Sequence, residues 1–188
     1  ALTVEKQIHN SLCSIQLLDA DGIHLRHGAA PSLPKDYNLA IDGIAIEENI
    51  GSCGTAAHKK KVVFVSDIAT DPLWKNYKEL ALNHELKACW SLPIISKKEN
   101  TVLGIFTIYY STIKIPDERD IQLLKRLSNY VRIAIEKNTS TNNLIKSETK
   151  YRNLFDRNLA GTYQTTFDGK ILRANTTIAN IVGYDTSE

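Results

Sequence analysis

Cys53 and Cys89 are the residues of this chain whose positions could support thiol chemistry. Cys53 lies in the small-residue run Gly51-Ser-Cys-Gly-Thr-Ala-Ala57, which predicts the start of a helix. The dipole at a helix N-terminus lowers a thiol pKa, so a cysteine there can be nucleophilic. Cys89 follows in the apolar run Ala88-Cys-Trp-Ser-Leu-Pro-Ile94, which predicts a strand. Such a pair could oxidise one thiol to a sulfenic acid and resolve it as a disulfide.

The same positions also have a structural interpretation, which we favour. Small side chains around Cys53 let a helix pack tightly beside a pocket, and a buried cysteine often serves as a small hydrophobe. The three cysteines, at positions 13, 53 and 89, are odd in number and scattered, so no disulfide framework is predicted. Free thiols suit a reducing compartment, and we therefore expect a cytoplasmic location.

Metal ions and nucleic acids are not expected as ligands. His24 and His27 are three residues apart in a predicted strand, so their side chains should point to opposite faces. The sequence contains no Cys-x-x-Cys or His-x-x-x-His pair, the spacings typical of metal sites. The formal net charge is +2, and the basic run Lys59-Lys-Lys61 is too short to follow a phosphate backbone. The sequence identifies no cofactor.

The elements that position these residues follow from apolar periodicity. Residues 12–18 and 23–27 alternate around the turn Asp19-Ala-Asp-Gly22, which predicts a β-hairpin. Asp71 followed by Pro72 predicts a helix start, because aspartate caps the first turn and proline needs no amide partner there. A short helix is also predicted around 35–40, and further strands at 62–65, 87–95 and 101–110. These elements predict an α+β fold, an antiparallel sheet flanked by helices.

A long helix is predicted from Pro116, and it carries two apolar lines. The first line follows heptad a/d spacing and consists of Ile121, Leu124, Val131 and Ile135. The second line consists of Leu123, Leu127, Tyr130 and Ala134. Two lines indicate two partners, the sheet of the same domain and another helix. We expect the first line to pair across a two-fold axis in a homodimer.

Several of these segments together resemble, in order and spacing, the GAF domains of bacterial signalling proteins. They are the runs at 51–57 and 88–94, with Val62-Val-Phe-Val-Ser-Asp-Ile68 and Asp71-Pro-Leu-Trp74 between them. The resemblance covers residues 1–137 and implies a six-stranded antiparallel sheet, with a small-molecule pocket on one face and the terminal helices on the other. The candidate pocket residues are Cys53, Asp67, Trp74, Cys89, Trp90 and Tyr109.

The last segment of the chain resembles the opening of a PAS domain. Its motifs are Tyr151-Arg-Asn-Leu-Phe155, Leu159-Ala-Gly-Thr-Tyr163, Phe167-Asp-Gly-Lys-Ile-Leu-Arg-Ala-Asn175 and Ile181-Val-Gly-Tyr184. We therefore expect residues 138–150 to form a helical connector and residues 151–188 the truncated start of a PAS domain. The polar run 138–143 consists of poor helix formers, which predicts a weak point in the connector.

GAF proteins with defined chemistry carry motifs that this sequence matches only in part or lacks. Free-methionine-(R)-sulfoxide reductases are GAF proteins with a similar motif, which matches here at Cys53, Gly54 and Thr55. Their second cysteine precedes the strand, whereas Cys89 lies within it, and this departure counts against the enzyme. The Cys-His pair of bilin-binding GAF domains is absent, since no cysteine here is followed by histidine. The cyclic-nucleotide signature cannot be placed either.

The sequence thus predicts a sensory GAF module of a multidomain bacterial signalling protein, such as a two-component histidine kinase or a cyclic-di-GMP enzyme. It would bind an unknown small ligand and pass the signal through a dimeric helix to an output domain of the same chain. Catalysis within the chain and direct membrane contact are not expected. One alternative is a thiol enzyme of the free-methionine-(R)-sulfoxide reductase type. Another is a ligand-free dimerisation module.

Overall fold

The computed structural model describes residues 1–8 and 10–184. The chain divides into two compact units, Ala1–Glu136 and Lys137–Glu188. The last four residues of the predicted PAS segment lie outside the described residues.

The first unit is built on six strands. They are β1 (Ser11–Leu18), β2 (His24–Ala29), β3 (Ile44–Ala45), β4 (Val63–Val65), β5 (Ala88–Ile95) and β6 (Val102–Tyr110). The strand order is β3-β2-β1-β6-β5-β4, and every neighbouring pair is antiparallel. This confirms the predicted six-stranded antiparallel sheet. The hairpin of β1 and β2 closes where expected, because Gly22 provides the left-handed conformation that its turn requires, with φ +76°.

Helices cover both faces of this sheet, which confirms the α+β fold. They are α1 (Leu2–Gln7), α2 (Lys35–Ala40), α3 (Gly51–Lys59), α4 (Lys78–Asn83) and α5 (Glu118–Asp156). On one face α1 and the first part of α5 pack against a core that includes Trp90, Phe106 and Ile108. On the other face α2, α3 and α4 pack against a second core that includes Cys89, Ile105 and Tyr109. The alternation of strand side chains separates the two cores.

The structure differs from the predicted elements at three places. The helix expected from Asp71 is two pieces, a 3-10 helix at Pro72–Trp74 and then α4. Asp71 caps the first piece by accepting a hydrogen bond from the Leu73 amide at 2.9 Å. Strand β3 has only two residues, too few for an alternating pattern to show in the sequence. Helix α5 continues without interruption through the polar run 138–143.

The second unit contains the end of α5 and three short elements, β7 (Tyr163–Thr165), β8 (Ile171–Ala174) and α6 (Thr176–Val182). Strands β7 and β8 form an antiparallel hairpin. Asn175 is fully buried and organises the unit: its side-chain oxygen accepts from the amides of Thr162 and Ile178, and its nitrogen donates to the Phe155 and Ala160 carbonyls. In the described part of this unit only Phe155, Asn175 and Ala179 are buried.

Within residues 1–8 and 10–184, none of the helices has both the length and the apolar character needed to span a bilayer.

Candidate functional site

The small residues of α3 bring this helix close to the sheet. Seven of its nine residues, Gly51 to Ala57, are buried. A Cβ atom on Gly54 would lie 2.5 Å from the backbone oxygen of Ala45 in β3, so only glycine fits there. The run of small residues therefore serves close packing, and it buries Ser52 and Cys53 against the sheet.

A buried hydroxyl–thiol network joins α3 to β5 and β6; its members are Ser52, Cys53, Cys89, Ser91 and Thr107. Ser52 Oγ and Cys89 Sγ lie 3.1 Å apart, and the Ser91 hydroxyl donates to Ser52 Oγ at 3.0 Å. Cys53 Sγ is 3.2 Å from Thr107 Oγ1, which in turn is 3.2 Å from Ser91 Oγ. Each of the two thiols therefore has a hydroxyl group as its partner.

Burial makes Cys89 and Cys13 poor nucleophiles. Loss of solvent raises the pKa of Cys89 well above the usual value of a thiol, and the nearby Cys53 raises it further. On the opposite face of the sheet, burial and the Glu5 carboxylate raise the pKa of Cys13 to about 11. Only a thiolate attacks efficiently, so Cys89 and Cys13 are unsuited to thiol exchange at neutral pH.

A small cavity of about 20 Å³ lies beside this network, between α2, α3, the 3-10 helix and the sheet. It has room for about one water molecule. Its walls are Tyr37, Ile41, Ile44, Gly51, Ser52, Cys53, Trp74, Tyr77 and Tyr109.

Three of the six candidate pocket residues meet at this cavity, namely Cys53, Trp74 and Tyr109. Cys89 lies on the same face of the sheet, where it contacts Ser52 rather than the cavity itself. Residues that are distant in the sequence are thus brought together by the packing of α3 on the sheet.

Trp90 and Asp67 lie elsewhere. Adjacent residues of a strand point to opposite faces, so Cys89 and Trp90 cannot both contact one cavity. Trp90 belongs to the core under α1 and α5, and its ring is 4.7 Å from that of Tyr110. Asp67 is half-buried in the loop after β4, where its carboxylate accepts from the Ala69 amide and the Thr70 hydroxyl, at 3.0 and 2.9 Å.

Tyr37 is the main cavity residue that sequence reasoning missed. Its helix, α2, was predicted, but a helix of six residues has no clear apolar face from which the side-chain direction could be read. Tyr37 is fully buried and makes edge-on contacts with the rings of Tyr109 and His84, at 5.7 and 5.6 Å between centroids. The one signal in the sequence is the aromatic side chain itself, because a large ring on a short helix is expected to pack against the core.

Two buried polar atoms of lining residues have no hydrogen-bond partner among the described residues. They are the hydroxyl oxygen of Tyr37 and the indole nitrogen Nε1 of Trp74. Trp74 Nε1 lies near enough to Cys89 to oppose the rise of that thiol's pKa, without forming a full hydrogen bond. Tyr109 stands in the same relation to the hydroxyl of Tyr37. Burial raises the pKa of Tyr37 and of Tyr109 well above the usual value of a phenol. The described walls of the cavity are therefore almost entirely apolar and include no charged side chain.

Three of the four α5 residues expected at a dimer interface pack against the core of the first unit instead. Leu124 and Val131 are buried in the core under the helix, and Ile135 is partly buried against the same core. Leu127, assigned to the second line, is buried with them, because positions 124, 127 and 131 share one face of a helix. Ile121 is half-buried.

The exposed apolar side chains of α5 lie at positions other than the four expected at the dimer interface. Tyr130 and Ile133, in the first unit, are 68% and 47% exposed, and three residues apart on a helix they lie on one face. A partner helix would therefore contact this face rather than the one formed by Leu124 and Val131.

Within the described residues, no group of three or more histidine, cysteine, aspartate or glutamate side chains is arranged to hold a metal ion.

Comparison with known proteins places this geometry in a family. The sequence pattern that defines the GAF domain family matches residues 3–136, well over half of the chain. The methyl sulfide methyltransferase-associated sensor of Methanosarcina acetivorans is 36% identical over 178 residues, which cover 94% of this chain. The match spans only 18% of that sensor's length.

Solved structures show the same fold. The GAF domain region of a protein from Geobacter sulfurreducens PCA is 25% identical, with a TM-score of 0.57 over 72% of this chain and 87% of that one. A type II free methionine-R-sulfoxide reductase from Thermoplasma acidophilum is 13% identical, also with a TM-score of 0.57, over 72% of this chain and 86% of that one. At such an identity the second likeness concerns the fold alone.

Proposed function

The chain belongs to the GAF domain family and contains a sensor domain of a signalling protein, and from this premise we propose that it binds a small molecule in the cavity beneath α3. The observation that carries the proposal is the cavity itself, whose apolar walls include Tyr37, Trp74 and Tyr109.

We propose further that α5 carries the signal onward. The helix covers the sheet through Leu124, Leu127 and Val131, so a ligand that shifts the sheet would shift the helix. The matched sensor is much longer than this chain, which leaves room for an output domain of the same polypeptide. A histidine kinase or a cyclic-di-GMP enzyme is our proposal for that output.

For the second unit we propose the opening of a PAS domain, beginning at residue 151. A β-hairpin followed by an asparagine-capped helix supports this, as does the order of the motifs up to Tyr184. Residues 138–150, the proposed connector, are helical.

A small-molecule screen with a cavity-filling variant tests the binding function. Thermal stability is measured for the wild-type chain, Ile41→Phe and Ile115→Phe against a library that includes methyl sulfide, because the matched sensor is named for a methyl sulfide methyltransferase. Ile41 lines the cavity and is 5% exposed, whereas Ile115 is 77% exposed and serves as the matched control.

We expect at least one compound to stabilise the wild type and Ile115→Phe, and to leave Ile41→Phe unchanged. If no compound stabilises the wild type, and mass spectrometry of the native protein finds no retained molecule, the binding function is contradicted. The ligand-free dimerisation module would then be the better description.

A further inference from the structure

We propose that the first unit has a binding site separate from the cavity, a lysine-lined groove that takes a small organic phosphate. The groove has a volume of about 330 Å³ and shares no described lining residue with the cavity under α3. Lys60, Lys61 and Lys125 line it together with Ser128, and the other described walls are apolar. The basic run 59–61, which the cavity does not use, is thus part of a second site.

The groove forms where strand β5 extends past its edge neighbour. Val63, the first residue of β4, is paired with Ser91, so residues 92–95 of β5 lie beyond the end of β4. Lys60 and Lys61, which connect α3 to β4, form one wall there, and α5 supplies another. Lysines that are distant in the sequence are thus brought to one place by the packing of α5 on the sheet.

The positive charge of the groove is not compensated by the described residues. The three lining lysines form no ion pair with a described carboxylate, and none of the described lining residues is acidic. Helix α5 carries no acid between Asp120 and Glu136. The Lys60 ammonium donates to the Asn100 carbonyl at 2.8 Å, which is a neutral partner. The groove therefore attracts anions.

Helix capping accounts for only part of this lysine cluster. The carbonyl end of α3 favours cations, which explains Lys59, and Lys59 also pairs with Glu48 at 2.8 Å. Lys60 ends the helix with a left-handed backbone, φ 50°, where glycine or asparagine is usually found. Its hydrogen bond to Asn100 holds the ammonium in place. Lys125 lies on another helix, so the dipole of α3 does not explain it.

The chemistry of the walls selects the class of anion. A lysine ammonium binds a phosphate as a point charge, whereas a carboxylate is best matched by the planar fork of arginine, which is absent from the described lining. A phosphate monoester carries close to two negative charges at neutral pH, which suits several ammonium groups. Val62, which is 37% exposed, and the half-buried Pro93 and Ile95 offer apolar contact. The ligand is therefore a phosphate ester with a small apolar part.

The size of the groove favours a small molecule over a protein partner. Its volume is at the lower end of the range of small-molecule pockets, about 300–1,000 Å³. A protein interface needs a broader apolar core. Among the described lining residues only Val62 is a large apolar side chain that is exposed.

Titration of the full chain with phenyl phosphate, followed by ¹H–¹⁵N NMR, tests this site. Benzyl alcohol, inorganic phosphate and benzoate are the matched probes, because they lack the charge, the apolar part and the phosphate, respectively. We expect phenyl phosphate to shift the amide signals of Lys61, Val62 and Lys125 saturably, and less so at high salt. The other probes should bind about tenfold more weakly or not at all, since each loses ionic or apolar contacts.

Three variants complete the test. Lys61→Gln and Lys125→Gln each remove one ammonium group from an exposed position of the groove, and we expect either to weaken phenyl phosphate binding about tenfold. Lys87→Gln is the matched control, because Lys87 is exposed and lies just before β5, at the other end of that strand from the groove. It should leave binding unchanged. Melting curves establish that each variant is folded.

Four results would overturn the organic phosphate site. They are the absence of saturable shifts at these amides, binding of any matched probe as tight as that of phenyl phosphate, unchanged binding by Lys61→Gln and Lys125→Gln, and equal weakening by Lys87→Gln. An oligoglutamate peptide that binds through Lys61 and Lys125 where phenyl phosphate does not would identify a docking surface for an acidic protein segment instead. The binding function proposed for the cavity is tested separately, because its described lining residues are different.

Discussion

Cys53 and Cys89 lie under α3, where hydroxyl groups of Ser52 and Thr107 are their hydrogen-bond partners. A reductase of the kind considered above needs a thiolate and a second thiol that can reach it. Burial raises the pKa of Cys89, which keeps this thiol protonated at neutral pH, and Cys89 lies within β5, whereas the second cysteine of the reductases precedes the strand. The two cysteines are therefore better explained by packing than by redox turnover.

The first prediction concerns this chemistry. Free methionine-(R)-sulfoxide, supplied with a thioredoxin system, should cause no NADPH consumption above background, because Cys89 stays protonated and buried. Cys53→Ser should behave as the wild type. Turnover by the wild type that disappears in Cys53→Ser would establish the enzyme instead.

The second prediction concerns pH and Cys13. Its pKa is raised from 9.0 to about 11 in the folded protein, so the folded state retains a proton that the unfolded chain loses. The stability that this provides is complete below pH 9 and is lost as the pH rises towards 11. Cys13→Val, which cannot ionise, should lose less thermal stability between pH 8 and pH 11 than the wild type does. Equal losses in the two proteins would contradict the assignment.

At the scale of elements, α5 packs one face against the sheet and leaves another face exposed. A charge placed on the face that packs against the sheet is buried without a partner, whereas a charge on the exposed face remains solvated. The two faces can therefore be told apart by the same substitution at neighbouring positions, which separates folding from association.

The third prediction uses this contrast. We expect the wild-type chain to sediment as a dimer at tens of micromolar, through the exposed face that includes Tyr130 and Ile133. Ile133→Glu should shift it to a monomer whose far-ultraviolet circular dichroism shows that it is still folded. Val131 is only 9% exposed, so Val131→Glu would bury a charge. It should instead destabilise the domain by about 3 kcal/mol or more. A wild-type monomer, or a dimer untouched by Ile133→Glu, would reject the helical interface.

At the scale of the whole molecule, the two units differ in how much they bury. The first has three apolar clusters, whereas the described part of the second buries little beyond Phe155, Asn175 and Ala179. Stability is therefore expected to be uneven along the chain, with the second unit opening first.

The fourth prediction follows from the position of the tryptophans. Trp74 and Trp90, the two tryptophans of the chain, both belong to the first unit, so tryptophan fluorescence reports on that unit alone. Asn175→Ala removes the side chain that holds the second unit together. It should lower the temperature of an early transition in far-ultraviolet circular dichroism and leave the fluorescence transition in place. A joint shift of both transitions would show that the units unfold as one.

The sequence by itself determined the local elements of this protein. Alternation and the turn ending at Gly22 predicted the first hairpin, and the small residues around Gly54 predicted a helix in close contact with a neighbour. These signals are local, since they depend on the backbone conformation and on the spacing of side chains within one element. The GAF resemblance followed from the same segments taken in order.

Only the tertiary structure decided which face meets which partner. Periodicity shows that Leu124 and Val131 share a face, but not that their own sheet takes that face. It also cannot show that Tyr37 reaches the cavity, because Tyr37 and Tyr109 are far apart in the chain and meet only when the sheet is assembled. Contacts between distant segments are chosen by the packing of the whole core, and no local pattern contains that information.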